Sequence, residues 1–162
     1  METAAILKAL NDPAAYPSPP EGITTIQTHA SVLFFAGDRV YKVKKSVDLG
    51  FLDFSTLERR GHFCREEVRL NAALAPGVYL GVAPITRDAA GHIRIRGGGE
   101  TIEYAVEMVR LPADRLLDRI IRDDRVPPGM IDELVEKLAR FHAAAGTGAG
   151  ALLPGGAFAA GI

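Results

Sequence analysis

One side chain in this sequence has the chemistry and the setting to hold a phosphate, Lys42 in the run RVYKVKK, and another could hold that lysine in place, Glu67 in CREEVRLNAAL. If RVYKVKK is a strand, alternation puts Val40, Lys42 and Lys44 on one face and Tyr41 and Val43 on the other. A lysine in mid-strand between apolar neighbours presents a fixed ammonium to a phosphate. The same pattern also suits a solvated lysine that discourages pairing at a sheet edge. In the helical run that follows, Phe63, Leu70 and Leu74 fall at i, i+7 and i+11 and predict a core-facing stripe, and Glu67 lies on that stripe. A carboxylate among apolar side chains is costly unless it has a partner, so Glu67 calls for a cation from the sheet beneath, with Lys42 as the candidate. At about 4 Å and an effective dielectric near 20, such a pair gains about 4 kcal/mol before desolvation. Desolvation makes it a positioning device more than a source of stability. The alternative is that Glu67 sits at the margin of the stripe and reaches water. Glu66, about 100° round the helix, reads as a surface residue.

The elements that must position these two groups follow from local patterning. Residues 2–10 predict a short helix ended by the proline-rich NDPAAYPSPPEG. ITTIQTH, SVLFFAG and RVYKVKK predict three strands, with a hairpin turn at Gly37-Asp38. DFSTLERRGHFCREEVRLNAAL predicts a helix with Ser55 as N-cap and Glu58 completing a capping box, closed by Pro76-Gly77. YLGVAPITRD and HIRIRG, turning at Ala90-Gly91, and then TIEYAVEMVRL predict further strands. After Pro112 come two helices, ADRLLDRIIRD and a second from Pro127-Pro128 to about Ala145. The second carries Met130, Leu134, Leu138 and Phe141 on one stripe, flanked by Ile131, Val135 and His142. GTGAGALLPGGAFAAGI offers little to pack and is expected to be disordered. The order predicts an α+β fold with one helix on an antiparallel sheet and the start of a helical lobe after it.

Composition narrows the function classes. The 162-residue chain has a formal net charge of −1, which recruits neither nucleic acid nor an anionic membrane. A single cysteine, Cys64, excludes a disulfide framework and cysteine-built metal sites, and points to a reducing compartment. The four histidines have no pair at ligand spacing. The N-terminus lacks the pattern of a signal peptide, and no apolar run approaches the roughly 20 residues of a membrane span. A cytoplasmic location is therefore expected.

The strings THASVLFFAGDRVYKVKKSVDLGFLDFSTLERR, CREEVRLNAALAPGVYLGVAPIT, EYAVEMVRLPADRLLDRI and LARFHA, covering roughly residues 20–145, closely resemble a bacterial family of aminoglycoside-phosphotransferase-like proteins, often fused to a C-terminal P-loop ATP-binding domain. The resemblance implies a protein-kinase-like N-terminal lobe at 21–112, behind an N-terminal helix and linker at 1–20. The first helices of an incomplete C-terminal lobe would follow at 113–145, with a Gly/Ala-rich tail at 146–162. It implies ATP and Mg²⁺ as cofactors and a hydroxyl-bearing acceptor of unknown identity. Lys42 would match the nucleotide-phosphate lysine and Glu67 the helix glutamate that orients it. Met108 would back the adenine pocket, or else simply pack in the core, and Val109 to Leu111 would offer hinge N–H and C=O groups. Thr28, His29 and Ser31 would lie in a turn above the phosphates, although that turn lacks the glycine-rich cover of protein kinases. His29 and His142 read as structural.

No His-Gly-Asp segment and no G-x-x-x-x-G-K-[ST] loop occurs in the sequence, so neither catalytic-loop residues nor metal ligands are expected in this chain, and it is expected not to turn over alone. The only adjacent aspartates, Asp123-Asp124, read as a solvated turn. The competing reading is a non-catalytic kinase-fold binding module that acts through a partner on the apolar face of the last helix.

Overall fold

A computed structural model describes residues 2–144; the tail expected at 146–162 lies outside the described residues. The chain divides into two compact units, with the boundary between Arg110 and Leu111.

The first unit is α+β. It contains helix α1 (Glu2–Ala9), a 3-10 turn (Pro13–Ala15), strands β1 (Ile23–Gln27), β2 (Ser31–Ala36) and β3 (Arg39–Lys44), helix α2 (Leu57–Leu74), and strands β4 (Tyr79–Arg87), β5 (Ile93–Ile95) and β6 (Glu100–Val109). The strands form one antiparallel sheet in the order β1-β2-β3-β6-β4-β5. β2 and β3 make the expected hairpin. Its turn holds Gly37 at φ 62°, a left-handed conformation that costs glycine little. The long crossing from β3 to β4 is what places α2 against the sheet, beside β6 and β4.

The registers Val32↔Val43, Phe34↔Tyr41, Val43↔Ala105 and Ala83↔Ala105 align one face of the sheet. That face holds the main core: Val32, Phe34, Tyr41, Val43, Ala83, Ile85 and Ala105. Its cover is the N-terminal segment. Ile6, Leu10, Ala15 and Tyr16 belong to the same cluster, and the Tyr16 hydroxyl donates to Leu10 O at 2.6 Å. Helix α1 and the segment through Tyr16 thus form a lid on the sheet. Lys42 stands on the opposite face, beside Leu33 and Val106 in the neighbouring strands.

The second unit contains a 3-10 turn (Ala113–Arg115) and helices α3 (Leu117–Arg122) and α4 (Met130–Ala144). Asp123 and Asp124 are exposed in the α3–α4 connection, where Arg125 pairs with Asp123 at 3.0 Å, as expected of a solvated turn. None of the side chains of α4 is buried. Ile131, Leu134, Val135 and Leu138 are all exposed, and Met130 and Phe141 are half-buried. Among the described residues no helix is long and apolar enough to cross a membrane.

Candidate functional site

The site is built where α2 lies on the sheet. Two details of α2 differ from the sequence reading. The N-cap is Thr56, not Ser55: the Thr56 hydroxyl accepts from the Arg59 N–H at 3.2 Å. Ser55 belongs to the preceding loop, where its N–H donates to Asp53 and its carbonyl accepts from Ser46 and Arg60, so the helix starts one residue later. The inward stripe also differs. Leu70 is 50% exposed, and the buried residues of α2 are Arg60, Gly61 and Cys64. The helix turns a polar line, Arg60, Cys64 and Glu67, toward the strands, with spacings of four and three residues that keep one face. Phe63 and Leu74 are half-buried at its flanks.

Ion pairs set that rotation. Arg60 Nε reaches both oxygens of Glu103 at 3.0 and 2.8 Å, and its Nη1 donates to Phe54 O and Ser55 O. Two turns on, Glu67 meets β3: Oε1 accepts from Lys42 Nζ at 2.7 Å and Oε2 from Lys44 Nζ at 2.6 Å. Gly61 lets the helix approach, since a Cβ there would lie 2.8 Å from the Tyr104 ring. The pairing expected of Lys42 and Glu67 is therefore present, and Glu66 lies on the outside in a pair with Arg69. Sequence reading missed Lys44 as a second partner, although alternation had put it on the face of Lys42. It also missed the Arg60–Glu103 pair, which the seven-residue spacing of Arg60 from Glu67 could have signalled.

Burial raises the Glu67 carboxyl, but the hydrogen bonds and charges of Lys42 and Lys44 outweigh it and hold the group below the usual carboxylate range. Burial, and then the Glu67 charge, push the nearby Tyr79 hydroxyl upward. The three charged side chains differ in access. Lys44 is 6% exposed and sits 4.8 Å from the centre of the Phe54 ring, whereas Lys42 is 28% exposed. The ammonium of Lys42 is the one a ligand can reach.

Cys64 lies inside the same line, fully buried, and burial pushes its thiol up to about 11. A protonated, enclosed thiol is a poor nucleophile. Native protein at pH 8 is expected to leave Cys64 unlabelled by a disulfide reagent over minutes and to take up one equivalent once unfolded in guanidinium. Prompt labelling of the native chain would mean that α2 does not turn this face to the sheet.

The other expected site residues separate. Met108 is half-buried between Val40 and Tyr79 on the Lys42 side of the sheet, which suits the back of a pocket and suits packing equally. The Val109 N–H donates to Val78 O at 2.9 Å and the Arg110 N–H to Asp38 O at 2.8 Å, so neither is available to adenine in this state. The ladder of β6 thus runs on through the Val109 N–H. Leu111 is exposed and begins the second unit. In the turn before β2, the Thr28 hydroxyl accepts from the Ser31 N–H at 3.0 Å, Thr28 O accepts from Lys45 Nζ at 2.7 Å, and His29 is exposed. Among the described residues no three His, Cys, Asp or Glu side chains converge to hold a metal ion.

Over 116 residues, 72% of its length, the chain is 36% identical to an uncharacterised protein of Mycobacterium bovis and to uncharacterised proteins of two Mycobacterium tuberculosis strains. It spans 22% of the length of those relatives. No family model matches the chain, and no solved structure matches it.

Proposed function

We propose that this chain is the nucleotide-gripping portion of a kinase-like phosphotransferase, of the aminoglycoside-phosphotransferase-like kind that its motifs resemble. Its work is to hold ATP, in the cytoplasm, for phosphoryl transfer to a hydroxyl. One observation carries the reading: the reachable ammonium of Lys42, on the third strand, is fixed at 2.7 Å by Glu67 from the helix that follows. Kinases grip the α- and β-phosphates with a third-strand lysine oriented by a helix glutamate. The antiparallel sheet, with its single helix between β3 and β4, supports the same reading. The sequence holds no His-Gly-Asp segment, the part of small-molecule kinases that would supply the group accepting the proton from the attacking hydroxyl. The chain alone is therefore expected to bind ATP without consuming it.

Titration of the chain with ATP tests this. Lys42→Ala is expected to weaken binding about tenfold or more, the scale of one charge-assisted hydrogen bond to phosphate. Its unfolding temperature should move little, because Lys42 is the partner with access to water. Equal ATP affinity in wild type and variant would defeat the proposal. Steady ATP turnover abolished by Lys42→Ala would instead show that the chain carries its own catalytic groups. The second reading, a binding module without catalysis, is favoured by the exposed apolar side chains of α4. It predicts that Lys42→Ala leaves nucleotide affinity unchanged.

A further inference from the structure

Glu67 has two cationic partners, and they are not equivalent. Each carboxylate oxygen takes one lysine, at 2.7 Å from Lys42 and 2.6 Å from Lys44. Lys44 is nearly enclosed and is held over the Phe54 ring, while Lys42 keeps a path to water. Two positive charges against one negative leave the cluster with a net charge of +1. A lone lysine–glutamate pair is neutral. In such a pair, any move of the ammonium toward a phosphate strips a half-buried carboxylate of its counter-ion, and that loss is charged against ligand binding. A second lysine removes the conflict.

We propose that Lys44 is a positioning residue that acts through Glu67. It is the standing counter-ion of that carboxylate, and it leaves the charge of Lys42 available to the phosphates of a nucleoside triphosphate. The inference rests on the phosphate-binding reading of Lys42 and goes beyond it, because it assigns the excess positive charge of the site to the residue that never touches the ligand. Lys44 itself stays against Phe54 when ligand binds. The spacing of two residues along β3 is what allows this, since it puts both ammonium groups on the α2 face, one strand repeat apart. The prediction from charge balance is specific. Removing Lys44 alone converts the cluster from +1 to neutral and ties Lys42 to Glu67. Removing the charges of Lys44 and Glu67 together restores +1 on Lys42, and a glutamine carbonyl at position 67 can still accept its hydrogen bond.

The test is calorimetric titration of the full chain with ATP, comparing wild type, Lys42→Met, Lys44→Met and the double variant Lys44→Met/Glu67→Gln. Circular dichroism fixes the folded fraction, so that affinity is read per folded molecule. Lys42→Met and Lys44→Met are each expected to weaken ATP binding by about tenfold, one charge-assisted contact. The double variant is expected to return to within about threefold of wild type, well inside a tenfold step of binding free energy. If Lys44→Met does not fold, Lys44→Gln, which removes the same charge and keeps a hydrogen-bond donor to Glu67, is read in its place. Wild-type affinity in Lys44→Met, with Lys42→Met weakened, overturns the role of Lys44 and leaves the phosphate site standing. A double variant as weak as Lys42→Met also overturns it, because Lys44 is then a phosphate ligand in its own right. ATP affinity that no substitution changes removes the phosphate site and this inference together.

Discussion

Deleting residues 1–20 is expected to leave a chain with no cooperative thermal transition. The segment puts Ile6, Leu10 and Tyr16 at 2%, 0% and 5% exposure into the cluster formed by Phe34, Tyr41, Val43 and Ile85. Burying a large apolar side chain contributes about 1.5–3 kcal/mol, so these three approach the whole net stability of about 5–15 kcal/mol typical of a domain. The deletion also strips the cover from the apolar face of the sheet, and an open apolar sheet associates rather than staying in solution. Leu10→Ala isolates one part of this. It deletes a fully buried side chain whose backbone carbonyl is anchored by the Tyr16 hydroxyl, and is expected to cost about 2–5 kcal/mol. Melting curves followed by circular dichroism check both. A truncated chain that melts within a few degrees of the full one would show that the N-terminal segment is an appendage after all.

That lid was hard to read from sequence because its signal is short. Ile6 and Leu10 give one i, i+4 pair, and the prolines that follow look like an exit from structure rather than a bend that returns Ala15 and Tyr16 to the sheet. The strands were legible because each carries its own alternation and is bounded by its own turn residues, as in SVLFFAGDRVYKVKK. The helix on the sheet was legible in extent but not in rotation. Phe63, Leu70 and Leu74 form a plausible stripe, yet Leu70 is exposed and the buried line runs through Arg60, Cys64 and Glu67. Patterning by hydrophobicity cannot find a helix face held by ion pairs, because each charge looks like a surface residue until its partner on another strand is known. Glu67 was placed correctly because a carboxylate one turn from Phe63 needed a cation wherever the exact stripe lay. Glu103 gave no such warning inside the run TIEYAVEMV. The state of the Val109 N–H was illegible for another reason: its partner is Val78, thirty-one residues earlier, and no local pattern reports that.

Glu67→Ala should be the most damaging single substitution in the site. Removing one member of a buried ion pair costs about 3–5 kcal/mol, mainly because the survivor is left charged and unpaired. Here there are two survivors with different options. Lys42 can turn to water. Lys44 cannot without leaving Phe54 and opening the seam between β3 and α2, so most of the cost falls on it. Glu67→Gln keeps the shape and one hydrogen bond and should cost less, which makes it the better probe of charge. Lys42 and Lys44 hold the Glu67 carboxyl below its ordinary value in the folded chain. A depressed carboxylate contributes stability that is complete above the unfolded value of about 4.3 and is lost as pH falls through the folded one. The stability gap between wild type and Glu67→Gln should therefore be constant from neutral pH down to the ordinary glutamate range and should close below it. Other carboxylates are common to both proteins and cancel in the difference. Denaturant unfolding of the two proteins across that range measures the gap. A gap that stays open at the acid end would mean that the lysines do not stabilise the charge of Glu67, and the geometry of the site would then have no electrostatic purpose.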